Sequence, residues 1–245
     1  MKETYRIAGV NIRIDSNYPD IHEKCSKFRT DGVPDVSFKL TQRDIECEKK
    51  LRQNWNEAVG TTSCGWGDGV YETLAVHRKI VEYMPLHDTF MMHGSVVSVD
   101  DEAYLFTATS GTGKSTHTGL WRQLLGERAV MVDDDKPLLH VEEDGSTIAN
   151  GTPWNGKHCL GDNIAVPLRA ICFLERSEDN WIREIPKSEA LLPLIKRVYR
   201  PSSAEVLSRV MDCVGRLKAR FYRLGCNMDI EAARLSYETM SGKTV

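Results

Sequence analysis

Hydrophobic and polar positions divide the chain into strand-like and helix-like stretches. Tyr5 to Ile14 mixes apolar and polar residues and alternates across Val10, Ile12 and Ile14. Val36-Ser37-Phe38-Lys39-Leu40 alternates cleanly, as a half-buried strand does, and Gly32 and Pro34 punctuate the interval. The first fifty residues therefore read as strand-rich. Gly65-Trp66-Gly67-Asp68-Gly69 reads as a loop, and the pattern predicts a helix from about Tyr71 to Met84 with Leu74, Ile80, Val81 and Met84 in the core. Ser95–Val99 and Ala103–Thr107 flank Asp100-Asp101-Glu102 as paired strands. Helical spacing follows at Leu120, Trp121, Leu124 and Leu125, with Gly126 as the stop. Ala129–Val132 is a short apolar strand that runs into Asp133-Asp134-Asp135. Leu138–Val141 and Thr147–Ala149 form a hairpin, and Ala170–Leu174 is a buried strand. Beyond Pro186 the spacing predicts helices over 188–198, 203–217 and 229–240, with a strand at Phe221–Leu224 between the last two.

Composition narrows the class. The chain has 245 residues, 41% hydrophobic and 27% charged, enough to bury a core without disulfides. Its 32 basic and 35 acidic residues leave a net charge of −3, which gives no general attraction to nucleic acid or to anionic membrane. No apolar run approaches the roughly 18–20 residues of a bilayer span. Seven scattered cysteines, none at C-x-x-C spacing, and no signal-like leader predict a cytoplasmic protein with mostly buried free thiols.

The chemistry concentrates in the centre. Ala108-Thr109-Ser110-Gly111-Thr112-Gly113-Lys114-Ser115 follows the G-x-x-x-x-G-K-[ST] pattern, with alanine at the first position. Such a turn needs backbone N–H groups converging on phosphate oxygens. Gly111 and Gly113 allow the angles and the close approach. Lys114 supplies a point charge, and Ser115 offers a hydroxyl to the magnesium that travels with a nucleotide. The following helix directs its N-terminus at the same anion. Ser110 through Thr116 are thus the expected nucleotide-binding residues. About twenty residues on, Asp133-Asp134-Asp135 closes an apolar strand, where one carboxylate can hold magnesium and another can accept a proton. Alternation along a strand would put Asp133 and Asp135 on one face and Asp134 on the other.

His93 opens the strand before the turn. The run from His93 through the turn to the aspartates resembles the HPr kinase/phosphorylase family and the phosphoenolpyruvate carboxykinases, covering roughly residues 90–175 well. The resemblance implies an α/β fold of the P-loop carboxykinase and HPr-kinase type. It implies a mixed β core flanked by helices, with a small β-rich region at 1–70, the P-loop domain at 71–245, and a helical tail from about 188. It implies His93 beside the phosphates and metal, Asp134 as base toward an acceptor hydroxyl and Asp135 on the metal, with Asp133-Asp134 as the other registration. Ser115, Asp134 and Asp135 are the metal set. ATP with Mg2+, or with Mn2+ in its place, is the implied cofactor pair. The chain lacks an E-[IVL]-R-G segment, which argues against HPr as substrate, and it is far shorter than a whole carboxykinase.

The loop Gly151-Thr152-Pro153-Trp154-Asn155-Gly156-Lys157-His158 resembles a stretch in HPr-kinase-like proteins. Lys157 would stabilise charge on a transferring phosphoryl group, His158 would contact acceptor or phosphate, and Trp154 would wall the pocket. An ordinary hairpin loop with a packed tryptophan is the competing reading. Arg176 is a candidate phosphate contact or a surface ion pair. The basic residues of the tail, Arg197 among them, read as solvated helix faces. The expected activity is ATP-dependent phosphoryl transfer to a hydroxyl of a protein, peptide or small molecule. The competing function is an ATP-binding sensor or accessory module without transfer. A homo-oligomer is compatible with either.

Overall fold

The computed structural model describes residues 1–61, 65–156 and 159–245. The chain forms two compact units, Met1–Tyr83 and Met84–Val245.

In the first unit, β1 (Lys2–Ile7) and β2 (Val10–Asp15) pair antiparallel through a turn at Ala8-Gly9, where both residues have positive φ. The short helix α1 (Asp20–Lys24) follows, and β3 (Val36–Lys39) then pairs parallel with β2. Tyr5, Ile7, Ile12 and Ile14 are fully buried, so the alternation read from the sequence marks the core face. The unit is not all strand. Gln42–Val59 forms α2 and Asp68–Tyr83 forms α3. α3 starts inside the glycine run expected as loop, and it packs on α1 and α2, so the division expected at 70/71 falls after Tyr83. Leu74 is only half-buried, whereas Ile80, Val81 and Met84 are buried.

The second unit is mixed α/β, built on a nine-stranded sheet. Its strands and helices in chain order are β4 (Thr89–Met91), β5 (Ser95–Val99), β6 (Glu102–Thr107), α4 (Lys114–Leu125), β7 (Ala129–Asp133), β8 (Leu138–Val141), β9 (Thr147–Asn150), β10 (Ala165–Arg176), β11 (Trp181–Ile185), α5 (Lys187–Ile195), α6 (Ala204–Arg216), β12 (Arg220–Cys226) and α7 (Ile230–Ser241). The long strand β10 joins two parts. Its first residues pair antiparallel with β9, which continues to β8 and β4; its later residues lie parallel between β6 and β12. β5 pairs antiparallel with both β6 and β7, so β7 runs in the direction of β6.

That topology positions the chemistry. β6, β7, β10 and β12 point the same way and end at one edge, while β5 begins there. In open α/β sheets the crevice beyond the carboxyl ends of parallel strands is where ligands bind. The glycine turn after β6, the aspartates after β7, Arg176 at the end of β10 and His93 before β5 all gather at that edge.

The residues at the end of β6 lead into α4, which buries Lys114, His117, Thr118, Trp121 and Leu125, the spacing of one helix face. Trp121 is fully buried among Tyr104, Phe106 and Tyr237, and its indole N–H donates to Ser236 Oγ at 2.8 Å. α4 is thereby fixed to the sheet on one side and to α7 on the other. Leu120 and Leu124, which share the helical spacing with Trp121, are half-buried. α5 ends at Ile195, earlier than expected, because Val198 bridges Met92 as extended chain. Among the described cysteines Cys25, Cys172 and Cys213 are buried, Cys226 is half-buried, and Cys47 and Cys159 are exposed, against the expectation of mostly buried thiols. No helix among the described residues is long and apolar enough to cross a membrane.

Candidate functional site

The turn between β6 and α4 has the backbone its sequence requires. Gly111 has φ 77° and Gly113 φ 120°, angles that favour glycine. Thr112 N–H closes the turn on Thr109 O at 3.2 Å. The first-turn amides of α4 have no carbonyl four residues back within the helix, so they are available to an anion. Ser110, Ser115 and Thr116 are exposed, and Gly111 and Thr112 line a cavity beside the helix.

Lys114 is buried, 8% exposed. Burial holds its ammonium below the usual lysine range; Asp135 and Asp134 pull it back up, and the Arg197 guanidinium pushes it further down. Arg197 was read from the sequence as a solvated cation. Instead its Nη2 lies 3.5 Å from Thr109 Oγ1, and its backbone carbonyl accepts the His93 N–H at 2.8 Å. Among the described residues it has no carboxylate partner. Two cations thus face one turn, an arrangement that an anion between them stabilises. Arg176 adds a third: its Nη2 donates to Gly111 O at 2.6 Å, so it braces the turn rather than serving a remote surface ion pair.

The three aspartates have different surroundings. Asp133 is fully buried. Its Oδ1 accepts the N–H groups of Asp135 (2.9 Å) and Lys136 (2.7 Å), and its Oδ2 accepts the Thr152 N–H (2.9 Å) and hydroxyl (2.8 Å). Burial pushes its carboxyl up to about 7 against the pull of those four donors. Asp133 organises the turn after β7 and ties it to the 151–156 loop, so the Asp133-Asp134 registration does not suit the site. Asp134 is 7% exposed, and its Oδ1 accepts from Ser95 Oγ at 2.6 Å, which in turn meets Thr118 Oγ1 at 2.9 Å. Its Oδ2 has no hydrogen-bond partner among the described residues. Asp135 Oδ1 lies 3.2 Å from His93 Nε2. Burial raises the Asp135 carboxyl, but His93, Lys136 and Lys114 together outweigh that and leave it below the usual carboxylate range. The alternation expected for the triplet fails because β7 stops at Asp133. Asp134 and Asp135 both act on Lys114, and Asp133 turns to the loop behind.

His93 and Asp135 form one pair, and Ser115 and Asp134 line a common cavity. Among the described residues no group of three or more His, Cys, Asp and Glu side chains suits a metal ion. A divalent ion carried by a nucleotide would need only one or two ligands from these side chains, and the acceptor-only carboxylates with the Ser115 hydroxyl fit that requirement. Trp154 is buried, 5% exposed, packed rather than exposed to a ligand. Lys157 and His158 lie outside the described residues.

Two cavities flank α4. One, about 430 Å³, is lined by Gly111, Thr116, Leu120, Leu174 and Met228, together with Arg176. The other, about 270 Å³, is lined by Ser115, Thr118, Arg122, Met131 and Asp134.

No family model matches the chain, and no curated protein matches it. Among solved structures it is similar to the HPr(Ser) kinase/phosphatase from Coxiella burnetii, with a TM-score of 0.29 and 15% identity over 39% of this chain and 70% of that one.

Proposed function

We propose that the protein is an ATP-dependent phosphotransferase of the HPr-kinase-like type, with the P-loop carboxykinase fold, which moves the γ-phosphoryl group to a hydroxyl. The observation that carries the reading is a buried Lys114 within electrostatic reach of Arg197, Asp134 and Asp135, at the start of a helix entered through two positive-φ glycines. This combination suits a polyphosphate and a proton acceptor together.

The turn Ser110–Thr116 holds the phosphates through its amides, and Lys114 and Arg197 neutralise their charge from two sides. The divalent ion supplies further charge neutralisation when bound, with Ser115 and the neighbouring carboxylates as its protein ligands. The larger cavity takes the nucleoside. Ser95 fixes Asp134 through Oδ1 and leaves Oδ2 to accept the acceptor's proton. The acceptor oxygen bonds to phosphorus as the bond from γ-phosphorus to the bridging oxygen breaks, and ADP leaves. Catalysis is positioning plus charge neutralisation.

The test is incubation with γ-labelled ATP, magnesium, and either lysate proteins or free hydroxy amino acids. Labelled phosphoester is the expected product. Tight ATP binding with no labelled product from any acceptor would assign the protein to the sensor class instead.

A further inference from the structure

The smaller cavity holds a cation that the transfer reaction alone does not require. Ser115, Thr118, Gly119 and Arg122 line it from α4, at spacings of three, four and seven residues, so they share one helix face. Asp134 and Met131 line it from the β7 side. Arg122 stands two turns beyond Ser115, about 10 Å along the axis. Side chains on a helix lean toward its N-terminus, so Arg122 covers the turn that carries Thr118. Among the described residues Arg122 has neither an ion pair nor a side-chain hydrogen bond. Of the residues that line the cavity, Arg122 is the cation and Asp134 the carboxylate.

We infer that this cavity is the acceptor pocket, and that the acceptor is a small molecule carrying an anionic group, a carboxylate or phosphate, close to its hydroxyl. The inference rests on the phosphotransferase reading. The hydroxyl lies at Asp134 Oδ2 and gives up its proton there as the new O–P bond forms. The anionic group pairs with Arg122. Without a cation in the cavity, an anionic acceptor would be repelled by Asp134, Asp135 and the nucleotide phosphates. Guanidinium also matches carboxylate and phosphate oxygens in pairs, which fixes the acceptor's orientation. A volume of about 270 Å³ sits at the lower limit of small-molecule pockets.

The experiment measures phosphorylation by γ-labelled ATP and magnesium of L-serine and D-glycerate against their neutral counterparts serinamide and glycerol. Glycerol 1-phosphate forms a separate arm that distinguishes phosphate from carboxylate. The expected result is kcat/KM at least about tenfold higher for the anionic member of a pair, a difference of about 1.4 kcal/mol. Arg122→Gln should abolish that preference by raising KM while the Kd for ATP stays within about twofold, and Arg122→Lys should restore part of it. Equal use of neutral and anionic acceptors, or a preference that survives in Arg122→Gln, would overturn the inference. So would a protein that binds ATP but phosphorylates none of the panel. Absence of ATP binding would instead overturn the phosphotransferase reading itself.

Discussion

The two flanks of α4 differ in polarity, and under the proposed function that difference separates binding from chemistry. On one side Leu120, Leu174 and Met228 make a wide, mostly apolar cavity whose cation, Arg176, is engaged in bracing the turn. On the other, Ser115, Thr118, Asp134 and Arg122, with Met131 and Leu160, make a smaller one with a larger polar share. Both reach the same phosphate-sized turn through Thr116. One helix thus presents an apolar wall to one cavity and a more polar wall to the other. The difference follows from sequence spacing. Residues 115, 118 and 122 share one stripe, residues 116 and 120 lie on the neighbouring one, and Lys114, His117 and Trp121 fix the helix to the core between them.

Several substitutions break this division, the largest effect first. Lys114→Ala removes the buried cation at the start of α4; phosphoryl transfer should fall below detection and calorimetric ATP affinity should drop by about 100-fold or more. Asp134→Asn acts on the polar flank alone. Its kcat should fall by about 10²–10⁴, the range for a lost general base, while the Kd for ATP stays within about twofold. A matching loss of ATP affinity would reassign Asp134 to the metal. Asp133→Asn weakens the turn that positions the polar flank. It replaces one acceptor oxygen with a donor facing an N–H group, so denaturant unfolding should show a loss of about 2–4 kcal/mol. Leu120→Trp fills the apolar flank. It should weaken ATP by roughly tenfold and leave inorganic tripolyphosphate binding unchanged, since only the nucleoside meets that wall.

The smallest effect concerns pH. Asp135 titrates below its unfolded value, so its stabilisation is present above the unfolded carboxylate pKa and is lost as pH falls through the lower folded value. Because the pair with His93 is about a third exposed on each side, the contribution is under about 1 kcal/mol. The stability difference between the wild type and Asp135→Asn should therefore shrink on acidification below about pH 4. Chemical denaturation at stepped pH reads it; a difference that grows on acidification would contradict the assignment.

How much of this the sequence made legible depended on whether local spacing or tertiary contact carried the information. The glycine turn, α4 and the strands around them follow from periodicity and turn chemistry. α2 goes unread because most of its residues are polar or charged and it buries only Ile45, Glu48 and Asn56, while its apolar stripe of Cys47, Leu51, Trp55 and Val59 stays exposed and marks no core face. Its ends carried the better signal. Thr41 and Asp44 form a capping box, and Gly60 ends the helix in the left-handed region. The aspartate triplet could not be divided in advance, because three identical side chains acquire different surroundings only where β7 stops. Arg197 had no local pattern either. It reaches the turn because Val198 bridges Met92 and so draws the end of the α5 segment alongside the strand that begins after His93. Arg122 likewise carries no local signal, because only the cavity beside it sets it apart from any exposed helical arginine.

The central claim is that the turn after β6 and the carboxylates after β7 form one magnesium-nucleotide site. Calorimetric titration with a non-hydrolysable ATP analogue, with and without magnesium, on the wild type and Lys114→Ala tests it most directly. Magnesium-dependent binding to the wild type that is lost in Lys114→Ala is the expected result. No binding, or binding indifferent to both the metal and Lys114, would contradict it.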